Sequence, residues 1–149
     1  MLSASCHYGL QAMLFIASHS NNGENVELKC IVDNEGIPRH FLSKILQILV
    51  RKKLLISTKG PSGGYKLAKK ASEISLYDII EAIDGPEIFE KCGTLNRTCN
   101  KENPCILHEH FRTNMENIKQ LYTTEKVNCI EEFLNEADLA KLSNSTITT

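Results

Sequence analysis

The sequence predicts a mainly α-helical protein with one small β hairpin, followed by a long helix toward the C-terminus. Three observations carry this expectation. Apolar residues recur at three- and four-residue steps over residues 3–19, 41–49 and 107–122. The stretch LLISTKGPSGGYKLAKK, residues 54–70, sets two short apolar and β-branched runs around a Gly-Pro-Ser-Gly-Gly turn. Gly36, Pro38, the pair Gly85-Pro86 and the pair Asn103-Pro104 stand where helices would start or stop.

Taken in order, Cys6, Leu10, Met13, Leu14 and Ala17 make residues 3–19 an amphipathic helix, closed by the turn-forming SNNG. A short helix over 28–35 turns Leu28, Ile31 and Val32 inward, and Gly36 caps it. Pro38 suits the first turn of a third helix, where its missing N–H would be unpaired anyway. Phe41, Leu42, Ile45, Leu46 and Leu49 hold that helix on the core as far as about Lys53. Two helices joined by so short a Gly-containing turn form a helix-turn-helix. The outer face of the third helix carries Arg39, His40, Ser43, Lys44, Gln47 and Arg51, all able to donate a hydrogen bond and none acidic. A basic hairpin directly after such a pair is a wing, which would lay Lys59, Gly60 and Ser62 against DNA backbone. Ser75 and Asp78 suit a capping box, and Ile79, Ile80 and Ile83 form the buried face of a fourth helix stopped by Gly85-Pro86. A winged helix-turn-helix domain therefore occupies residues 1–85.

Beyond it, residues 86–104 read as a cysteine-rich loop. Asn103-Pro104 then caps and opens a long helix over 105–126, in which Leu107, Phe111, Met115, Ile118 and Tyr122 form an apolar stripe. A stripe leaving a closed domain needs a cover, and a second copy of the chain is the simplest, giving a homodimer that reads two related DNA half-sites. Residues 127–149 hold a last helix, over 128–142, and a polar tail ending in SNSTITT.

Net charge conceals an asymmetry. Residues 1–70 hold ten Lys and Arg against four acids, and from Gly36 to Ser72 there are nine bases and no acid. One end of the molecule is positive, which suits a nucleic-acid partner. The N-terminus lacks a signal-peptide pattern and no run is long enough to span a bilayer, so a cytoplasmic protein without membrane association is expected. In that compartment clustered cysteines point to metal binding rather than to disulfides. Cys6, Cys30 and Cys129 sit among apolar residues and are expected to be buried. Cys92, Cys99 and Cys105 lie in a polar segment, at gaps of six and five, with His108 three residues after the last. Thiolates suit both iron-sulfur clusters and zinc, and these long irregular gaps fit a cluster better than the tighter spacing of zinc knuckles.

IPRHFLSKILQILVRKKLLISTKGPSGGYKLAKK, with ISLYDIIEAIDG after it, resembles the signature of the Rrf-two family of bacterial winged-helix transcription regulators, over about residues 1–126. The three cysteines followed by Cys-x-x-His are similar to those of the iron-sulfur cluster regulators in that family. The resemblance implies that Cys92, Cys99, Cys105 and His108 hold a 2Fe-2S cluster, zinc being the lesser alternative, and that a homodimer forms across the long helix. It also marks departures. The first cysteine gap is one residue longer than usual, Lys59 stands where the family commonly has arginine, and Ser43 replaces a glutamate of the reading helix.

A nitric-oxide-sensing regulator of the same family is the nearest alternative. Its relatives can use an N-terminal aspartate as ligand, whereas residues 1–23 here contain no Asp or Glu and Tyr8 is aromatic. A zinc or electron-transfer protein using its basic half for docking would explain neither the wing nor the donor-rich helix face. Catalysis has no support: there is no Ser-His-Asp order, no phosphate-binding Gly loop and no paired carboxylate motif.

Overall fold

The computed structural model describes residues 2–20, 23–91 and 102–129. Its elements are α1 (Ala4–His19), α2 (Leu28–Glu35), α3 (Arg39–Arg51), β1 (Leu55–Thr58), β2 (Gly64–Leu67), α4 (Leu76–Asp84) and α5 (His108–Thr124). Short 3-10 turns lie at Ala71–Glu73 and Pro86–Phe89. The mainly helical fold with a two-stranded antiparallel wing is the one expected. No helix among the described residues is long and apolar enough to cross a membrane.

Helix α1 starts where Ser3 accepts from the Cys6 N–H at 3.0 Å. Asp84, at the end of α4, anchors that cap by accepting from both the N–H and the hydroxyl of Ser3. Ala12, Met13 and Ile16 of α1 are fully buried against Leu42, Ile45, Leu46 and Leu49 of α3 and Ile79 of α4. Cys6 is buried as expected; burial, with Asp84 beside it, pushes its thiol up to about 12, which keeps it protonated and unreactive. Cys30 and Cys129, by contrast, are exposed, which corrects the expectation for them. In the short α2 only Ile31 is fully inward, and Cys30, one residue earlier, is turned away from that line.

Helix α2 closes on Gly36 in the left-handed region at φ 65°, whose N–H bonds the Val32 carbonyl at 3.0 Å. Helix α3 ends differently. Lys53 occupies the left-handed region at φ 61° without being glycine, and the next N–H, of Leu54, reaches back to the Leu49 carbonyl at 3.0 Å. That bond completes a Schellman closure and aims the chain into β1.

The wing pairs β1 with β2 in the register Leu55↔Leu67 to Thr58↔Gly64. A third segment joins it, unforeseen from sequence: Val26 exchanges two backbone hydrogen bonds with Tyr65, each 2.8 Å. Gly64 makes this approach possible, since a Cβ there would stand 2.4 Å from the Val26 carbonyl oxygen and its φ of 143° disfavours other residues. Helix α4 carries the expected capping box, with Ser75 Oγ accepting from Asp78 N–H at 3.1 Å and Asp78 accepting from Ser75 N–H at 2.8 Å.

Helix α5 begins at His108, three residues later than Asn103-Pro104 suggested. The chain enters through a turn in which the His108 N–H bonds the Cys105 carbonyl at 3.0 Å, an i to i−3 closure tighter than an α-helical one. Its far end returns to the winged domain. Leu76 N–H bonds Glu125 O at 3.1 Å, Val127 N–H bonds Ile74 O at 3.0 Å, and Val127 is fully buried in the main core. Residue 127 is thus packed into the body that holds the recognition helix. From residue 130 on, the expected last helix and tail lie outside the described residues.

The strained Lys53 generates a first prediction. A non-glycine residue in the left-handed region costs about 1 kcal/mol or more, so Lys53→Gly should raise stability by about 0.5–1 kcal/mol after its larger unfolded-state entropy is counted. A higher urea midpoint at unchanged slope is the expected result.

Candidate DNA interface and metal-ligating residues

Packing of α3 through Leu42, Ile45, Leu46 and Leu49 turns its opposite face to solvent, and the helical period does the rest. Arg39, His40, Lys44, Gln47 and Arg51 are exposed and Ser43 is half-buried. Lys59, Gly60 and Ser62 are all exposed at the wing tip. Two grooves join wing to helix. One, of about 370 Å3, is lined by Gln47, Val50 and Arg51 from α3 and by Ser57 and Tyr65 from the wing. The other, of about 340 Å3, runs between Lys29, Arg39 and the Gly60-Pro61 turn, with Glu27 at its edge. The structure therefore brings Arg39 and Gly60 to one cleft, and Gln47 and Arg51 to the next. Donors flanking grooves of this kind can engage phosphate and base edges together.

Phe41 departs from expectation. It is 47% exposed instead of buried, and its ring lies against His40 at 4.3 Å between centroids. Leu42, Ile45, Leu46 and Leu49 already fill the inward arc of α3, leaving Phe41 at the margin of the donor-lined outer face. Hydrophobicity alone concealed this; the angular position of residue 41 relative to 42, 45 and 49 was the available signal.

The metal-ligating set is described in part. Cys92 and Cys99 lie outside the described residues. Cys105 and His108 are both described, and both line a cavity of about 390 Å3 between Phe89–Lys91 and α5. The expected helix over 105–126 would hold both; the structure brings them to one cavity by a different route, with Cys105 in the turn that leads into α5. His108 Nε2 is buried there without a hydrogen-bond partner among the described residues. A buried imidazole nitrogen with no partner is costly, and a neutral imidazole nitrogen is a metal ligand. The donor set of thiolates with one imidazole is also the chemistry that iron-sulfur centres accept. The residues present therefore fit such a group. Among the described residues alone, no three His, Cys, Asp or Glu gather to hold a metal ion. His110, next along the helix, is exposed.

The stripe on α5 divides in two. Phe111 and Met115 line the cavity, and Tyr122 packs on Phe89, which in turn meets Tyr77 of α4 at 5.7 Å. Lys119 Nζ sits 5.3 Å over the Tyr77 ring. Leu107, Ile118 and Leu121 instead face outward, 42%, 36% and 54% exposed, and Ile106 before them is 97% exposed. Part of the stripe is thus covered by its own chain, and a second apolar line remains open. Arg112 bridges Glu109 and Glu116 at 3.4 and 3.5 Å across solvent, which contributes little.

Comparison with known proteins follows this geometry. Residues 2–143 match Rrf2, described as an iron-dependent transcriptional regulator. The chain is 32% identical over 144 residues to the HTH-type transcriptional regulator IscR of Yersinia pseudotuberculosis, covering 97% of this chain and 79% of that one. Among solved structures, IscR of T. potens superposes with a TM-score of 0.73 at 25% identity, over 92% of this chain and 90% of that one. CymR, the global cysteine regulator of B. subtilis, superposes with a TM-score of 0.76 at 21% identity, over 89% and 97%, a likeness of fold. The wing, the donor-lined recognition helix and these matches over most of the sequence agree: the chain belongs to the Rrf2 family of transcriptional regulators.

Proposed function

We propose that this chain acts as a homodimeric DNA-binding regulator whose hold on DNA depends on a 2Fe-2S cluster ligated by Cys92, Cys99, Cys105 and His108. The observation that carries this reading is His108 Nε2, buried and unpartnered in the cavity that Cys105 also lines. When bound, the cluster would supply a charge and a set of bonds that change with oxidation state and occupancy. The residues do the rest. His108, as a neutral ligand in place of a thiolate, leaves the site less negative and raises its reduction potential, as histidine ligation does in Rieske centres. It must be deprotonated to ligate, so protons compete at this position. Cys105 sits at the N-terminal approach to α5, where the helix dipole favours a thiolate. Phe89, Phe111 and Met115 line the same cavity and give it an apolar wall.

On the DNA side, Arg39, His40, Ser43, Lys44, Gln47 and Arg51 read the major groove while Lys59, Gly60 and Ser62 hold backbone. Lys59 supplies a point charge where an arginine would supply a planar fork, so it positions more than it discriminates. Rrf2 winged-helix regulators bind DNA and are usually dimeric. Exposed Leu107, Ile118 and Leu121 support a seam between two copies on α5.

Three outcomes are expected. In equilibrium binding to duplex DNA, log affinity should fall linearly with log salt, and Lys59→Ala should lower the slope by about 0.9 while weakening most sequences alike. Gln47→Ala or Lys44→Ala should instead change preference at individual base pairs by roughly 1–3 kcal/mol. Sedimentation should show Ile118→Asp as monomer with poor DNA affinity, because a charge would meet an apolar partner helix; a dimeric variant would move the seam elsewhere. Protein purified without air should show a visible iron-sulfur spectrum, with iron and sulfide assayed. His108→Ala should lose it readily, His108→Cys should retain it at a lower potential, and His110→Ala should change neither. Colourless protein with stoichiometric zinc would overturn the cluster, and an unaltered His108→Ala spectrum would send the search for the fourth ligand to Glu102 and Glu109.

A further inference from the structure

The wing is tethered at its tip as well as along its strand. Asn25 Nδ2 donates to the Ser62 carbonyl at 3.0 Å, joining residues 37 positions apart. The next residue, Val26, is the one that pairs with Tyr65, and two residues later α2 begins at Leu28. A two-stranded hairpin alone is marginally stable in water, so these bonds decide how firmly the wing is held. They also decide where it points relative to α2 and α3.

We propose that Asn25 is a positioning residue for DNA binding: its amide clasps the wing turn so that Lys59, Gly60 and Ser62 meet the DNA backbone at a fixed distance from the recognition helix. The inference rests on the DNA-binding reading above. The orientation of the amide follows from its partner, because the Ser62 carbonyl can only accept and must face the NH2 group. Oδ1 is then left buried without a hydrogen bond among the described residues. An unpaired buried acceptor is unfavourable, and an aliphatic side chain of similar size would avoid it. For folding alone, asparagine is thus a poor choice here. Its donor is the half that has a partner, and that partner lies among the residues nominated for backbone contact. Holding the tip before DNA arrives removes an ordering cost that a free loop would meet on binding.

The test uses the full chain, a labelled random-sequence duplex of about 30 base pairs long enough for both recognition helices, and Asn25→Leu, which deletes the donor and the orphaned oxygen without adding charge. Expected are a thermal midpoint equal to or above wild type and amide exchange at Gly63, whose N–H bonds Gly60 O at 2.9 Å, faster by about tenfold. DNA affinity should fall about fivefold, and the salt slope should drop by about 0.9, one phosphate contact. Lys59→Ala added to Asn25→Leu should then cost less than about twofold further, against its full effect in wild type, since both act on one contact. Wild-type affinity, slope and exchange in Asn25→Leu would overturn the clasp, as would strictly additive losses with Lys59→Ala. A wild-type protein that binds the duplex without salt dependence would overturn the DNA reading itself and this role with it.

Discussion

Burial of Leu42, Ile45, Leu46 and Leu49 sets the rotation of α3, and the placement of the hydrogen-bond donors on its outer face follows from that rotation. With four side chains locked into the core from one arc, the helical period leaves Arg39, Lys44, Gln47 and Arg51 no direction but outward. The same burial orders the chain on either side. Leu49 accepts the bond that closes α3 and sends Leu54 into β1, while Ile31 and Ile37 bring α2 onto the same core. A rotation error of one residue would bury a cation and expose a leucine. Close packing resists this, so the donor-lined outer face is specified by the core rather than by anything on the surface.

Elements set by local pattern were legible in the sequence. The bounds of α2 and the cap at Gly36, the Ser75–Asp78 box and the two strands of the wing all answer to spacing, capping and turn chemistry within a few residues. What escaped was decided by partners distant in the chain. The pairing of Val26 with Tyr65 and the burial of Val127 beside Ile74 leave no periodic trace, because each depends on a single residue meeting a segment about forty or fifty positions away. Exposure of Phe41 and Cys30 escaped for the converse reason. Both are apolar in type, yet their neighbours had already filled the inward arc of short helices. At the candidate metal site, residue types and spacing singled out His108, but not the turn at Cys105 that replaces the first helical turn.

The described cysteines are sorted by environment more than by sequence context. Cys6, on the inner face of α1, is kept from ionising first by its burial and then by Asp84 beside it, the carboxylate that anchors the Ser3 cap, so this thiol is a packing residue. Cys105 lies instead beside a helix N-terminus and lines an open cavity with an imidazole. Thiolate chemistry follows the second environment and not the first.

The two ends of α5 belong to different parts of the protein, and this bears on how one site can influence the other. Its N-terminal end carries His108, and its C-terminal end runs directly into Glu125 and Val127, which are bonded to the segment leading into α4. Over 17 residues the helix spans about 25 Å as a single hydrogen-bonded rod. Near its C-terminal end, Tyr122, Phe89 and Tyr77 form one packed aromatic line onto α4, and Asp84 at the end of α4 anchors the Ser3 cap of α1, which packs on α3. Rearrangement at His108 would therefore meet a stiff element already seated in the core of the DNA-binding body. A helix seated at its C-terminal end in this way can shift or tilt only if Val127 or the aromatic line gives way. Coupling carried along α5 takes the form of a change in that seating, because the chain passes from Thr124 to the buried Val127 without a linker.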